Sequence, residues 1–294
     1  MSAAPSVFEG FGLPLLDQLT VLAAQGQRPL IALNGPVGAG KSTLARRLRE
    51  HAQAVGLQLA VASIDDAYLP WEPRLAVMAG NPFGVSRVPP GSHDTALLIE
   101  RLASWRAGGP LVLPRFDKTL RGGQGDRSGE ETLQADAVVL EGWLLGCRSL
   151  GDALPQALER LDGLTPGERA WLPRWDQALQ AYQPLANPDL GLVDGLWLLH
   201  PDSWSLPLRW RLQAEAQQRR RLRRHGTGSG ALDGQAVAAI VRATLASLPP
   251  HIYQDPLLHN ANAAAVIDGR RRCLRIRLPG SDQLSSSSAA SLTG

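Results

Sequence analysis

The chain is predicted to be an α/β protein whose mainly parallel sheet is covered by helices on both faces. Three observations predict it. Residues 29–34 and 57–64 are short and continuously apolar, as strands are when helices cover both sides of a parallel sheet. They flank a glycine-rich turn and a helical stretch, which makes a βαβ unit. Further short apolar segments alternate with helical ones along the rest of the chain.

In order, residues 29–34 form the first strand and residues 42–54 the first helix, with Leu44 and Leu48 at helical spacing and a stop near Gly56. Residues 57–64 are the second strand. Residues 80–91, rich in Pro and Gly, form a loop. Residues 94–106 are a helix with Leu97, Leu98, Ile99 and Leu102 on its apolar side. Residues 137–141 and 195–199 are short buried strands, and between them 163–187 holds a helix around Trp171, Trp175 and Leu179. A strongly basic helix covers 208–224 and ends in the glycines of 226–230; another covers 233–248 with Asp233 as N-cap. Residues 263–267 and 273–278 pair as a hairpin. The expected organisation is one domain over 1–280 with a helical lid at about 205–230, then a disordered serine-rich tail over 281–294.

Composition excludes several classes. With 294 residues, 44% apolar and 19% charged, the chain has material for a real core and is no disordered polyampholyte. No run of eighteen apolar residues occurs, and the first residues lack a signal-peptide pattern, so no membrane partner is expected. Cys147 and Cys273 make neither a disulfide framework nor a zinc site, and a cytoplasmic location is the expectation. The net charge of +3 argues against a nucleic-acid partner. Only two lysines occur, Lys41 and Lys118, among many arginines. A chain so poor in lysine should keep one where a compact ammonium serves better than a planar guanidinium.

Gly35-Pro36-Val37-Gly38-Ala39-Gly40-Lys41-Ser42 fits the phosphate-loop pattern, with a strand before it and a helix after it. Glycines let successive backbone N–H groups turn around an anion, and the helix start adds a positive dipole end. Lys41 reaches the outer phosphates, the Ser42 hydroxyl ligates Mg²⁺, and Thr43 continues the loop. ATP is the expected nucleotide, since neither lysine stands in the Asn-Lys-x-Asp pattern that reads guanine. Leu120-Arg121-Gly122-Gly123-Gln124 mimics an ABC-transporter signature, but residues 125–136 are polar and not helical, and the later strand ends in Glu141-Gly142-Trp143.

Asp65 and Asp66 follow the second strand, on the edge where a parallel sheet binds ligands. A carboxylate there accepts the proton of an attacking hydroxyl, which makes Asp65 the candidate base; Asp66 could also help hold Mg²⁺. Glu141, at another strand end, is the candidate metal acid. His93 and Asp94 precede a helix, and Asp94 is equally an N-cap. Residues 113–118 and 125–127 bring Arg115, Lys118 and Arg127 into one glycine-rich loop suited to a small anionic substrate. The basic helix would act as a lid, with Arg211 offered to the transferring phosphoryl group. The plainer readings are turn aspartates, a surface histidine, a solvated loop and a solvated helix face.

These motifs, in this order over about residues 29–258, resemble the D-glycerate 3-kinases of plants and cyanobacteria, which are related to uridine kinase, phosphoribulokinase and pantothenate kinase. The resemblance rests most on Glu141-Gly142-Trp143 together with Leu113-Pro114-Arg115-Phe116-Asp117-Lys118 and Trp210-Arg211-Leu212-Gln213-Ala214-Glu215. It implies a P-loop NTPase fold and transfer of the γ-phosphate of ATP to the 3-hydroxyl of D-glycerate, a small hydroxy acid, as in photorespiration. It also implies that His93, Asp94, Arg115, Lys118 and Arg127 line the acceptor pocket. Ala67 departs from the aromatic residue usual there, and residues 163–193 match poorly. Other acceptors (a nucleoside, a pantothenate-like molecule or a sugar phosphate) and a non-catalytic ATP-binding regulator stay open at this point.

Overall fold

Alternation along the strands sorts side chains into two apolar cores, one on each face of a sheet. The computed structural model describes residues 5–224, 234–281 and 283–286. The chain enters through a π-helical turn (Phe8–Gly12) and α1 (Leu13–Ala24) and continues as β1 (Leu30–Asn34), α2 (Lys41–Ala54) and β2 (Leu59–Ser63). A 3-10 turn (Ile64–Ala67), α3 (Trp71–Met78) and α4 (Thr95–Arg106) follow, then β3 (Leu111–Asp117), β4 (Asp126–Leu133) and β5 (Ala137–Gly142). Next come α5 (Leu154–Glu159), α6 (Pro166–Ala178), a 3-10 segment (Leu179–Leu185), β6 (Gly195–Pro201), α7 (Leu206–Arg224) and α8 (Gly234–Ser247). Two single-turn helices, α9 (Pro250–Tyr253) and α10 (Leu257–Asn260), lead to β7 (Ala263–Ile267), β8 (Cys273–Arg277) and β9 (Ser285–Ser286).

The seven-stranded sheet runs β2–β5–β1–β6–β7–β8–β9. Its first five strands are parallel, and β8 and β9 are antiparallel additions at one edge. On one face Ile31 and Leu33 of β1 pack with Phe11, Leu15 and Leu19 of the amino-terminal helices, Leu44 and Leu48 of α2, and Trp210 of α7. On the other face Leu30 and Ala32 join Leu98 and Leu102 of α4, Leu172 and Trp175 of α6, and Ala243 of α8. This is the three-layer, mainly parallel arrangement expected.

Three expectations change. Residues 113–127 are only partly a loop: β3 and β4 form a separate antiparallel hairpin with a bulge at Arg115/Phe116, which takes Arg115 and Arg127 into strands and leaves Lys118 in the connection between them. The helix over 163–187 is α6, started by a Thr165 capping box with Glu168, and then a tighter 3-10 segment. The start of the tail is ordered where Ser285 and Ser286 pair with Ile276 and Arg275. Residues 226–230, the expected N-cap Asp233 and tail residues 287–294 lie outside the described residues. No helix among the described residues is long and apolar enough to cross a membrane.

Candidate active site

The phosphate loop joins the carboxyl end of β1 to α2. Gly38 and Gly40 take φ of +80° and +100°, which side chains disfavour. A Cβ on Gly38 would also lie 2.6 Å from the Trp210 Cβ. The loop is therefore closed from above by the first turns of α7. The Pro36 carbonyl accepts from the Ala39 amide at 3.2 Å, turning Pro36, Val37 and Gly38 back on themselves. Lys41 folds over its own loop, donating from Nζ to the Gly35 carbonyl at 2.7 Å and the Pro36 carbonyl at 3.2 Å. Burial lowers its pKa, against the opposing pull of Glu141 and Asp65, while Lys118 adds to the lowering.

A cavity of about 570 Å³ runs along Gly38 to Thr43 and is bordered by Phe8, Arg47, Arg211 and Arg271. Arg211 is ion-paired to the buried Glu215 one turn further along α7, and its Nε has no partner. Arg271 donates from Nε to the Gly38 carbonyl at 2.8 Å, lies over the Trp210 ring, and holds a left-handed φ of +61°. Its distance from the loop in sequence left no signal that could have found it.

The second half of the candidate site lies along the same sheet edge. In register, Glu141 of β5 sits beside both Leu33 of β1 and Ser63 of β2. Ser42 donates from Oγ to Glu141 Oε1 at 2.9 Å. Asp65 and Asp66 occupy the 3-10 turn that ends β2. Asp65 accepts from the Tyr68 hydroxyl at Oδ1 and from Lys118 Nζ at Oδ2, both at 3.0 Å. Burial pushes its carboxyl up, but Lys118 and the surrounding donors outweigh burial and hold it well below the usual range. The chain's two lysines thus lie at one site, each within electrostatic reach of Asp65.

Asp66 pairs with Arg115 at 3.2 Å, and Arg115 also bridges to Glu131 across the hairpin. Burial raises the Asp66 carboxyl, with Arg115 opposing. Asp94 is the N-cap the sequence allowed, its Oδ1 accepting from the Leu97 amide at the start of α4, and its Oδ2 pairs with Arg127 at 3.1 Å. Arg127 further donates to the Tyr68 carbonyl at 2.7 Å. The His93 side chain is fully enclosed, so it lies behind Asp65 and not on an open wall. Its ring stacks on Tyr68 with centroids 4.3 Å apart.

Arg74, which the sequence did not single out, is completely buried. It donates to the carbonyls of Leu69, Ser86, Gln124 and Gly125 and lies over Phe116. That one guanidinium fastens the β3–β4 connection to α3, which sets where Lys118 stands. Tyr68 was findable, being three residues from Asp65 in one turn. Arg74 was not, because its partners are loop carbonyls.

Among the described residues no cluster of three or more His, Cys, Asp or Glu could hold a metal ion alone. Ser42 and Glu141 supply two hard oxygens at the foot of the anion cradle. That suits Mg²⁺, which takes one or two protein oxygens and completes its shell with phosphates and water.

A glycine cradle ending in Lys41 and Ser42, carboxylates at the two neighbouring strand ends, and this sheet under a basic helix make a phosphate-binding site on a P-loop NTPase fold. Among solved structures, the chain is similar to the D-glycerate 3-kinase of Cryptococcus neoformans var. grubii, at 23% identity and a TM-score of 0.75 over 93% of this chain and 99% of that one. It is similar to the YGR205w protein at 25% identity and a TM-score of 0.72, over 93% of this chain and 98% of that one. In sequence it is 29% identical over 213 residues to the uncharacterized kinase mug58 of Schizosaccharomyces pombe, which is 65% of this chain and 71% of that protein. No family model matches the chain. The resemblance read from the motifs is therefore borne out in the fold.

Proposed function

We propose that the protein is an ATP- and Mg²⁺-dependent kinase that phosphorylates the 3-hydroxyl of D-glycerate. The observation that carries this reading is the 3.0 Å pairing of Asp65 with Lys118 beside the phosphate loop, a base and an anion-binding cation at one sheet edge. The motif resemblance, on a fold shared with a D-glycerate 3-kinase over nearly its whole length, supports the choice of acceptor.

In this reading the loop from Gly35 to Thr43 cradles the polyphosphate. Lys118 and Arg115 leave Asp65 and Asp66 to take the acceptor carboxylate, Arg127 and Asp94 hold the walls, and His93 stays enclosed behind Asp65. The acceptor oxygen forms a bond to the γ-phosphorus, and the bond from that phosphorus to the β,γ-bridging oxygen breaks. The hydroxyl proton passes to Asp65, and ADP departs with the electron pair. Lys41 and Arg211 offset the charge that grows on the transferring group. Ser42 and Glu141 would hold Mg²⁺, which supplies further charge neutralisation when bound.

The test is ADP release against a panel of small hydroxy acids, nucleosides, pantothenate and sugar phosphates. D-Glycerate should give the highest kcat/KM, and Asp65→Asn should lose turnover by about 10²- to 10⁴-fold with ATP affinity little changed. A nucleoside or sugar phosphate leading the panel would reassign the acceptor. ATP binding with no turnover on any acceptor would leave a non-catalytic regulator.

A further inference from the structure

The helical segment between β5 and β6 reaches the candidate base through two side chains. Tyr182, in the 3-10 segment after α6, is buried, and its hydroxyl accepts from the Gly91 amide at 3.0 Å. The same hydroxyl lies 2.8 Å from His93 Nδ1. A phenol has one proton to give, and among the described residues the Tyr182 hydroxyl has no other acceptor for it, so we read Tyr182 as the donor and His93 Nδ1 as the acceptor in this contact. The nearby Ser92 hydroxyl already donates to the Pro89 carbonyl at 2.7 Å and is 3.5 Å from Nδ1. With Nδ1 accepting in this way, a neutral ring carries its proton on Nε2.

That Nε2 is buried without a hydrogen-bond partner and lies 4.0 Å from Asp65 Oδ1. At 4.0 Å there is no hydrogen bond, yet an N–H aimed at a carboxylate across one ångström of slack is a clamp short of closure. The backbone keeps it aimed. Leu69 N donates to Ser92 O at 2.9 Å, and Asp94 N donates to Ala67 O at 2.7 Å. The turn that carries Asp65 and the segment that carries His93 are thus laced together.

We propose that Tyr182 and His93 are positioning residues. Tyr182 fixes His93 as the Nε2–H tautomer, and that N–H holds the Asp65 carboxylate in the line of attack once Lys118 has turned to the acceptor. This rests on the Asp65 role proposed above and gives the segment between β5 and β6 a part in the reaction. Neither side chain touches substrate in this scheme.

Long-range ¹H–¹⁵N correlation on the ligand-free full chain reads the tautomer without any acceptor. Wild type should show His93 protonated on Nε2, and Tyr182→Phe should shift it toward Nδ1–H. In steady state, Tyr182→Phe should lower kcat by about 10- to 100-fold while acceptor KM and ATP affinity stay within about twofold. Glutamine places an amide nitrogen near Nε2 and asparagine near Nδ1, so His93→Gln should keep more kcat than His93→Asn. An Nδ1–H tautomer in wild type, or an asparagine variant equal to the glutamine one, overturns the proposal. If Tyr182→Phe melts too low for assay, the two His93 variants and the wild-type spectrum still decide it. A wild-type protein with the Nε2–H tautomer but no kinase activity would refute the function and not the tautomer.

Discussion

Lys118 Nζ stands 3.0 Å from Asp65 Oδ2, and this contact ties the tip of the β3–β4 hairpin to the end of β2. The ammonium is 55% exposed and the carboxylate 35%, so the pair is open enough to exchange partners and too open to stabilise the fold greatly.

Lys118→Met should move the acidic limb of the kcat/KM profile to higher pH. Burial is the largest influence on Asp65 and raises its pKa, while Lys118 is the main opposing one. With the cation gone, burial acts with less opposition and the carboxylate protonates earlier. The stability sign agrees: a carboxyl depressed in the folded state adds stability above its unfolded pKa of about 4 and loses it as pH falls below that. The variant should thus be slightly less stable than wild type at pH 7, with the gap closing in acid. A pH–rate series with thermal melts checks both, and an unmoved limb contradicts the pairing.

Glu141→Gln should weaken affinity for the metal while sparing the nucleotide cradle. Glu141 accepts from Ser42 at 2.9 Å, and the amide would lose charge at that point. The Mg²⁺ concentration for half-maximal ADP release should rise about 10- to 100-fold. Metal-free nucleotide binding, followed by calorimetry, should change little.

Gly38→Ala should abolish tight nucleotide binding in a protein that still folds. The new methyl meets the Trp210 Cβ at 2.6 Å, in a left-handed backbone. Backbone strain alone costs about 1–2 kcal/mol, so affinity for a non-hydrolysable ATP analogue should fall at least about tenfold. Far-UV circular dichroism should remain that of wild type.

Arg74→Met should destabilise the fold by about 3–5 kcal/mol, because several loop carbonyls lose their buried donor together. Urea unfolding measures this. Any surviving activity should show a raised acceptor KM, since the hairpin that carries Lys118 loses its anchor.

The phosphate loop was legible because its physics is contiguous: glycines, lysine and serine succeed one another in the chain and need only a strand before and a helix after. Asp65 and Glu141 were legible because parallel strand ends share an edge. The hairpin was not. β4 reads Asp-Arg-Ser-Gly-Glu-Glu-Thr-Leu, largely exposed and without alternation, and the bulge in β3 breaks the period of its partner. α3 holds Pro73 in its first turn and only eight residues, too few to show a helical stripe. Arg74, Arg271 and Tyr182 act through partners far off in sequence, and only the folded chain brings those together. His93 was placed in the right neighbourhood but on the wrong side of the base, since its enclosure depends on Tyr182, 89 residues away.

The scarcity of lysine has a practical outcome. Acylating or reductively methylating reagents encounter just two side-chain amines in these 294 residues, and both lie at the candidate site. Chemical labelling followed by mass spectrometry therefore becomes an occupancy gauge. Mass added at Lys41 would report on the proposed nucleotide half, mass added at Lys118 on the proposed acceptor half, and guanidinium groups elsewhere stay silent.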